Sequence, residues 1–177
     1  MGTAALQIGK AIGAFVIGTS RTSDKLEKAR QLGLDLGIEV KDGRFADTCL
    51  QYAQRGVDAV LELVGGDYLV EDLRCMGIGG RIAIVGLVGG GEAHIGMRAL
   101  LQKRITLFGT SLRSRPFEEK IALMQLFSRS IVPLLQNRTL RAVVDRIFSM
   151  EQAEEAHRCM ASGELFGKVV LRMDGKS

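Results

Sequence analysis

The side chains with the most chemistry in this sequence stand close together in Thr19-Ser20-Arg21-Thr22-Ser23-Asp24-Lys25. A guanidinium donates as a fork, an ammonium is a compact charge, and with the Ser20 hydroxyl beside Arg21 and Lys25 they suit the oxygens of a phosphate ester. Solvated turn residues would have the same composition, so on these residues alone both meanings stay open. Gly2 and Thr3 head an apolar helical pattern and could turn backbone N–H groups toward an anion. Glycines at Gly65, Gly66 and Gly86, and the run Gly89-Gly90-Gly91, let the chain turn tightly, with or without a ligand beside them. Metal-ligating types are scattered: His94, His157, Cys49, Cys75 and Cys159 lack the close spacing of a zinc site, and three separated cysteines are no disulfide framework. They are expected to be reduced core thiols, no metal is expected, and no side chain is assigned a catalytic role.

Those residues need a scaffold, and 177 residues with 46% hydrophobic and 25% charged content suffice for one globular unit with a sizeable core. Apolar runs break well before the roughly 18 residues of a membrane span, and the start lacks the pattern of a signal peptide, so a cytoplasmic protein with no membrane partner is expected. The net charge of +4 arises from basic residues that mostly alternate with acids, which gives no support to a nucleic-acid partner. From Ala93 to Phe117, however, Arg98, Lys103, Arg104, Arg113 and Arg115 occur without an acid, as on an exposed basic edge.

Short apolar runs alternate with amphipathic segments along the whole chain. Strands are expected at 14–19, 38–40, 58–64, 81–86, 105–109 and 168–171. Helices are expected from Ala4 to Gly13, from Asp24 (with Glu27 as a capping box) to Gly33, over 45–55, 67–76 and 97–101, from Pro116 with Phe117, Ile121, Met124 and Phe127 toward the core, and from a Ser149–Gln152 capping box through Met160. Strands separated by helices imply βαβ units, hence an α/β, doubly wound parallel sheet with helices on both faces.

Several blocks in order resemble the cofactor-binding half of the medium-chain dehydrogenase/reductase superfamily, in its zinc-free quinone oxidoreductase branch. They are Gly2-Thr3-Ala4-Ala5-Leu6-Gln7-Ile8-Gly9-Lys10, Thr19 to Leu26, Gly56-Val57-Asp58-Ala59-Val60-Leu61, Gly79-Gly80-Arg81, Leu112-Arg113-Ser114-Arg115, Glu155-Ala156-His157 and Gly167-Lys168-Val169-Val170-Leu171. The Leu-Arg-Ser-Arg block and the Glu-Ala-His helix are most similar to the p53-inducible quinone reductase type. The resemblance implies a Rossmann-type domain over 1–177 that binds NADP and serves hydride transfer to a quinone or enone. An acidic residue at the end of the second strand would favour NAD, whereas Ser20, Arg21 and Lys25 match a 2′-phosphate. By the same resemblance Gly2 and Thr3 lie by the pyrophosphate. Gly65, Gly86, Leu87, Ser111 and Leu112 line the adenine-to-nicotinamide path, and Phe166 and Lys168 close it. Where the family often has Asn-Tyr, Glu39-Val40 offers no aromatic contact to the adenosine end.

The resemblance also implies a fragment, truncated at its N-terminus before the substrate domain and the first, central strand, with a homodimer formed through 105–109. A non-catalytic dinucleotide-binding or dimerisation module, or the cofactor domain of a zinc alcohol dehydrogenase, are the alternatives. A missing central strand would leave the strands at 14–19 and 58–64 with open edges, and the isolated chain is expected to be partly folded.

Overall fold

The computed structural model describes residues 1–173; the last four positions of the expected 1–177 domain lie outside the described residues. Helix α1 (Gly2–Ala11) leads to β1 (Ile17–Ser20), α2 (Ser23–Arg30) to β2 (Leu36–Glu39), α3 (Ala46–Tyr52) to β3 (Val57–Glu62), and α4 (Tyr68–Cys75) to β4 (Met76–Ile84). Then follow α5 (Met97–Lys103), β5 (Thr106–Gly109), α6 (Phe117–Ser130), α7 (Val132–Gln136), β6 (Val144–Ser149), a 3-10 turn at Met150–Gln152, α8 (Ala153–Ala161) and β7 (Lys168–Arg172). Among the described residues every ladder is parallel: β1 with β2, the row β3-β4-β5, and β6 with β7. This is the doubly wound α/β class. Among the described residues no ladder joins β1 to β3, so the sheet is open between them. No helix among the described residues is long and apolar enough to cross a membrane.

Three buried clusters follow from the strand pattern. Leu6, Leu26 and Leu34 pack α1 and α2 beside β1. Ile38, Val40, Phe45, Ala46, Cys49 and Cys75 fill the space between β2, α3 and α4. Leu69, Leu73, Met76 and Ile82 sit under the β3-β4-β5 row, with Leu100, Ile105 and Leu107 against them. Met76 and Ile82 are almost wholly out of water, each contributing on the order of 1.5–3 kcal/mol by burial.

The structure corrects several expectations. Helix α2 starts at Ser23 behind Thr22, so Asp24 and Glu27 are not a capping box; Glu27 instead pairs with Arg30. The strand expected from Arg81 begins at Met76, because the chain turns straight from helix to extended backbone there. The glycine-rich Gly77-Ile78-Gly79-Gly80 stretch, outside the expected elements, lies within that strand and bulges out opposite the segment between Val57 and Ala59. Strand β6 has an apolar and charged mixture, VDRIFS, that the alternation did not single out. Finally, Phe117, Ile121, Met124 and Phe127 are exposed, Phe117 to 72%. Periodicity establishes that a helix has an apolar stripe, not that another layer covers it. The Ser149–Gln152 capping box is present as expected.

The basic stretch after Ala93 is only partly an exposed edge. Lys103 Nζ donates to the carbonyls of Leu73, Arg74 and Met76, closing the end of α4. Arg115 pairs with Glu119 and donates to Thr110.

Candidate functional site at the carboxyl edge of the strands

Parallel strands present their carboxyl ends on one edge, where the following turns meet. At the end of β1, Ser20 is half-buried; its carbonyl accepts from Val40 at 2.8 Å and its Oγ from the Thr22 N–H at 3.2 Å. Arg21 is exposed and makes no hydrogen bond or ion pair with the described residues. Lys25, in the first turn of α2, donates to the carbonyl of Gly163 in the loop between α8 and β7. That loop therefore closes over the β1 end from a distant part of the sequence.

The next turn, after β3, is built on a buried acid. Glu62 Oε1 accepts the N–H groups of Val64 and, at 2.8 Å, Gly65. Gly65 has φ +75° and bridges Gly90; an added Cβ would stand 2.5 Å from the Gly90 carbonyl oxygen. A Cβ on Gly86 would likewise stand 2.6 Å from the carbonyl oxygen of Leu63. These two glycines let one turn lie backbone-on-backbone against the next. Tyr68 packs on Phe45 with ring centroids 5.3 Å apart. Burial raises its phenol, the positive charge of Arg21 opposes that rise, and the charge of Glu62 adds to it. Arg21 from the turn after β1 and Glu62 from the end of β3 thus each lie within electrostatic reach of Tyr68.

A second group gathers at the head of α1. Burial lowers the Met1 amino group, and the Lys168 charge lowers it further, so the start of β7 lies within electrostatic reach of the chain's amino end. Phe166 is fixed there by its N–H, which donates to Asp145 at 3.2 Å. Gln7 clasps the backbone of Arg141 from both sides, its Nε2 donating to the carbonyl at 3.0 Å and its Oε1 accepting the N–H at 2.9 Å. Leu87, Ser111 and Leu112 are exposed in the turns after β4 and β5, and the Thr110 N–H donating to Ile84 at 3.0 Å keeps those turns adjacent.

The structure therefore joins Lys25 to the Gly163 loop, with Arg21 beside that loop and Ser20 at the head of the same turn, and sets the Met1 amino group, next to Gly2 and Thr3, within electrostatic reach of Lys168. Gly65, Gly86 and Leu87 form a third patch, with Ser111 and Leu112 along the edge from it. Sequence reasoning missed Glu62, Asp72, Tyr68 and Gly163. The signal for Glu62 was available: a lone carboxylate in the apolar run VLELV has to find donors or lose its charge. Asp72 faces it from α4. Burial, then the hydrogen bond and charge of Glu62, push the Asp72 carboxyl up to about 9, and its Oδ2 has no hydrogen-bond partner among the described residues.

The family profile described as zinc-binding dehydrogenase matches residues 1–129. The chain is 28% identical over 174 residues to a rat (Rattus norvegicus) quinone oxidoreductase, covering 97% of this chain and 51% of that protein. It spans about half the length of the curated relatives it matches. The solved quinone oxidoreductase of Thermus thermophilus, also determined as its complex with NADPH, superposes with a TM-score of 0.84 at 28% identity, covering 97% of this chain and 54% of that one. A solved NAD-dependent alcohol dehydrogenase superposes with a TM-score of 0.82 at 29% identity, covering 97% and 47%. The zinc of the family's name finds no ligand set here: among the described residues no three His, Cys, Asp or Glu side chains are grouped to hold a metal ion.

Proposed function

Since the chain belongs to the zinc-binding dehydrogenase family of the medium-chain dehydrogenase/reductase superfamily and has the fold of a nicotinamide-dinucleotide-binding oxidoreductase domain, we propose that it is the cofactor-holding half of an NADPH-dependent reductase of quinones or enones. Its similar structures include both an NADPH complex and a NAD-dependent enzyme, so the choice of cofactor rests on this chain's own residues. The observation that carries it is the cationic end of β1, where Arg21 is uncommitted and Lys25 has two ammonium protons left after its bond to Gly163. With Ser20 they supply the donors and positive charge that suit a phosphate monoester where an acid would hold a ribose diol.

The bound cofactor supplies a hydride, and the protein's task is to place it and exclude water. In this reading Gly2 and Thr3, at the N-terminus of the ten-residue helix α1, direct N–H groups at the pyrophosphate. Gly65, Gly86, Leu87, Ser111 and Leu112 line the path along the strand ends, and Phe166 and Lys168 close it beside the head of α1. The β5 edge is open among the described residues and carries the exposed Phe108; an apolar open edge favours pairing with a second copy, hence a homodimer with a small-molecule substrate in the whole protein.

The test is fluorescence titration with NADPH and NADH. NADPH is expected to bind at least about tenfold more tightly, a difference of about 1.4 kcal/mol, and Arg21→Ala with Lys25→Ala to remove the preference. A preference for NADH, or an unchanged preference in the double variant, would overturn the assignment.

A further inference from the structure

Helix α6 leaves an apolar stripe in water. Phe117, Ile121, Met124 and Phe127 are exposed, as are Leu123 and Leu126, and no residue of α6 belongs to the three buried clusters. An open groove of about 440 Å³ runs along the helix, lined by Phe117, Ile121, Met124 and Ser128, with Lys120 and Arg129 at its sides. A contiguous uncovered apolar patch on a folded chain marks an interaction surface. Two charges of the helix are already used: Glu119 pairs with Arg115, and Lys120 Nζ donates to the Arg113 carbonyl at 3.2 Å. Glu118 and Arg129 are exposed, and their side chains have no ion pair or hydrogen bond among the described residues.

We propose that α6 is a self-association surface, on which α6 of a second copy of this chain lies antiparallel about a two-fold axis near Leu123. The occupant follows from the order of residues. Glu118 and Arg129 stand eleven residues apart, about three turns at 3.6 residues per turn, and so on the same side of the stripe. An antiparallel copy brings Glu118 of each chain to Arg129 of the other, twice by symmetry. In the same alignment the large Phe117 ring meets the small Ser128, and Ile121 meets Met124, so the two grooves interdigitate. A parallel copy would instead set acid against acid and base against base. A two-fold contact requires a patch complementary to itself, which one free acid near the head of the stripe and one free base near its tail provide.

Two single helices bury less than the roughly 800 Å² per partner of a standard interface, so the association is expected in the micromolar rather than the nanomolar range. The contact is separate from pairing along the β5 edge and needs no cofactor. It is therefore tested in the Phe108→Lys chain, where that edge carries a charge. Sedimentation velocity across the micromolar range should show a reversible dimer. Met124→Glu, which puts a carboxylate into the apolar seam of each copy, should weaken it at least about a hundredfold. Arg129→Glu leaves acid facing acid and should weaken it about tenfold, and adding Glu118→Arg exchanges the charges and should restore it to within about twofold. That restoration separates pairing from misfolding, since a second substitution does not repair a damaged fold by reversing a surface charge. A Phe108→Lys chain that stays monomeric throughout, which would leave the stripe to another segment of a longer protein, would overturn the proposal. So would a charge-exchanged chain that associates no better than Arg129→Glu.

Discussion

Asp72→Asn should make the protein more stable, and increasingly so as pH rises. Asp72 is buried against Glu62, whose Oε1 is already committed to the amides of Val64 and Gly65. The Asp72 carboxyl therefore keeps its proton up to about pH 9, against an ordinary value of 3.8. The unfolded chain releases that proton near its ordinary value. Between those values the folded state binds one proton more, so stability falls with rising pH by about 1.4 kcal/mol per unit. The contribution is complete below about pH 4 and is lost as pH climbs toward about 9. From pH 6 to pH 8 the loss would be about 3 kcal/mol if this group acted alone. Asparagine is neutral throughout, and its amide can donate to Glu62 in place of the protonated carboxyl. Relaxation around buried charges softens such effects, so a gain of about 2 kcal/mol at pH 8 and almost none at pH 4 is expected. Urea unfolding followed by circular dichroism at pH 5, 6, 7 and 8 measures it, and subtracting the two chains cancels the other titrations. Parallel pH dependences for the two chains, or a variant weaker at pH 8, would refute the reasoning.

Other residues yield sharper structural tests. Gly65→Ala places a Cβ 2.5 Å from the Gly90 oxygen at φ +75° and should destabilise by about 2–4 kcal/mol in thermal unfolding, combining backbone strain with overpacking. Gln7→Ala strips both partners from the Arg141 backbone and should cost about 2 kcal/mol, read by the same melts. Phe108→Lys puts a charge on the open β5 edge without entering the cluster that holds Leu107. Sedimentation should show weaker self-association, and a wild-type chain monomeric at micromolar concentration would remove the dimer.

The α/β alternation was legible because burying a strand on both faces demands an apolar run, and the helix between must then carry a stripe. Ser20, Arg21 and Lys25 could be singled out for the same local reason: cations and a hydroxyl in one turn need no tertiary knowledge to be suspected. What sequence could not supply was anything fixed by a partner far along the chain. The Gly163 carbonyl that takes Lys25, the Lys168 charge beside Met1 and the Arg141 backbone held by Gln7 are meetings that tertiary packing arranges. The exposed stripe of α6 shows the reverse case, in which a helical period was read correctly and its burial was not. Glu62 and Asp72 make the point most strongly. A carboxyl's chemistry depends on the donors, charges and water around it more than on its type, and only folding put these two acids against each other in the interior.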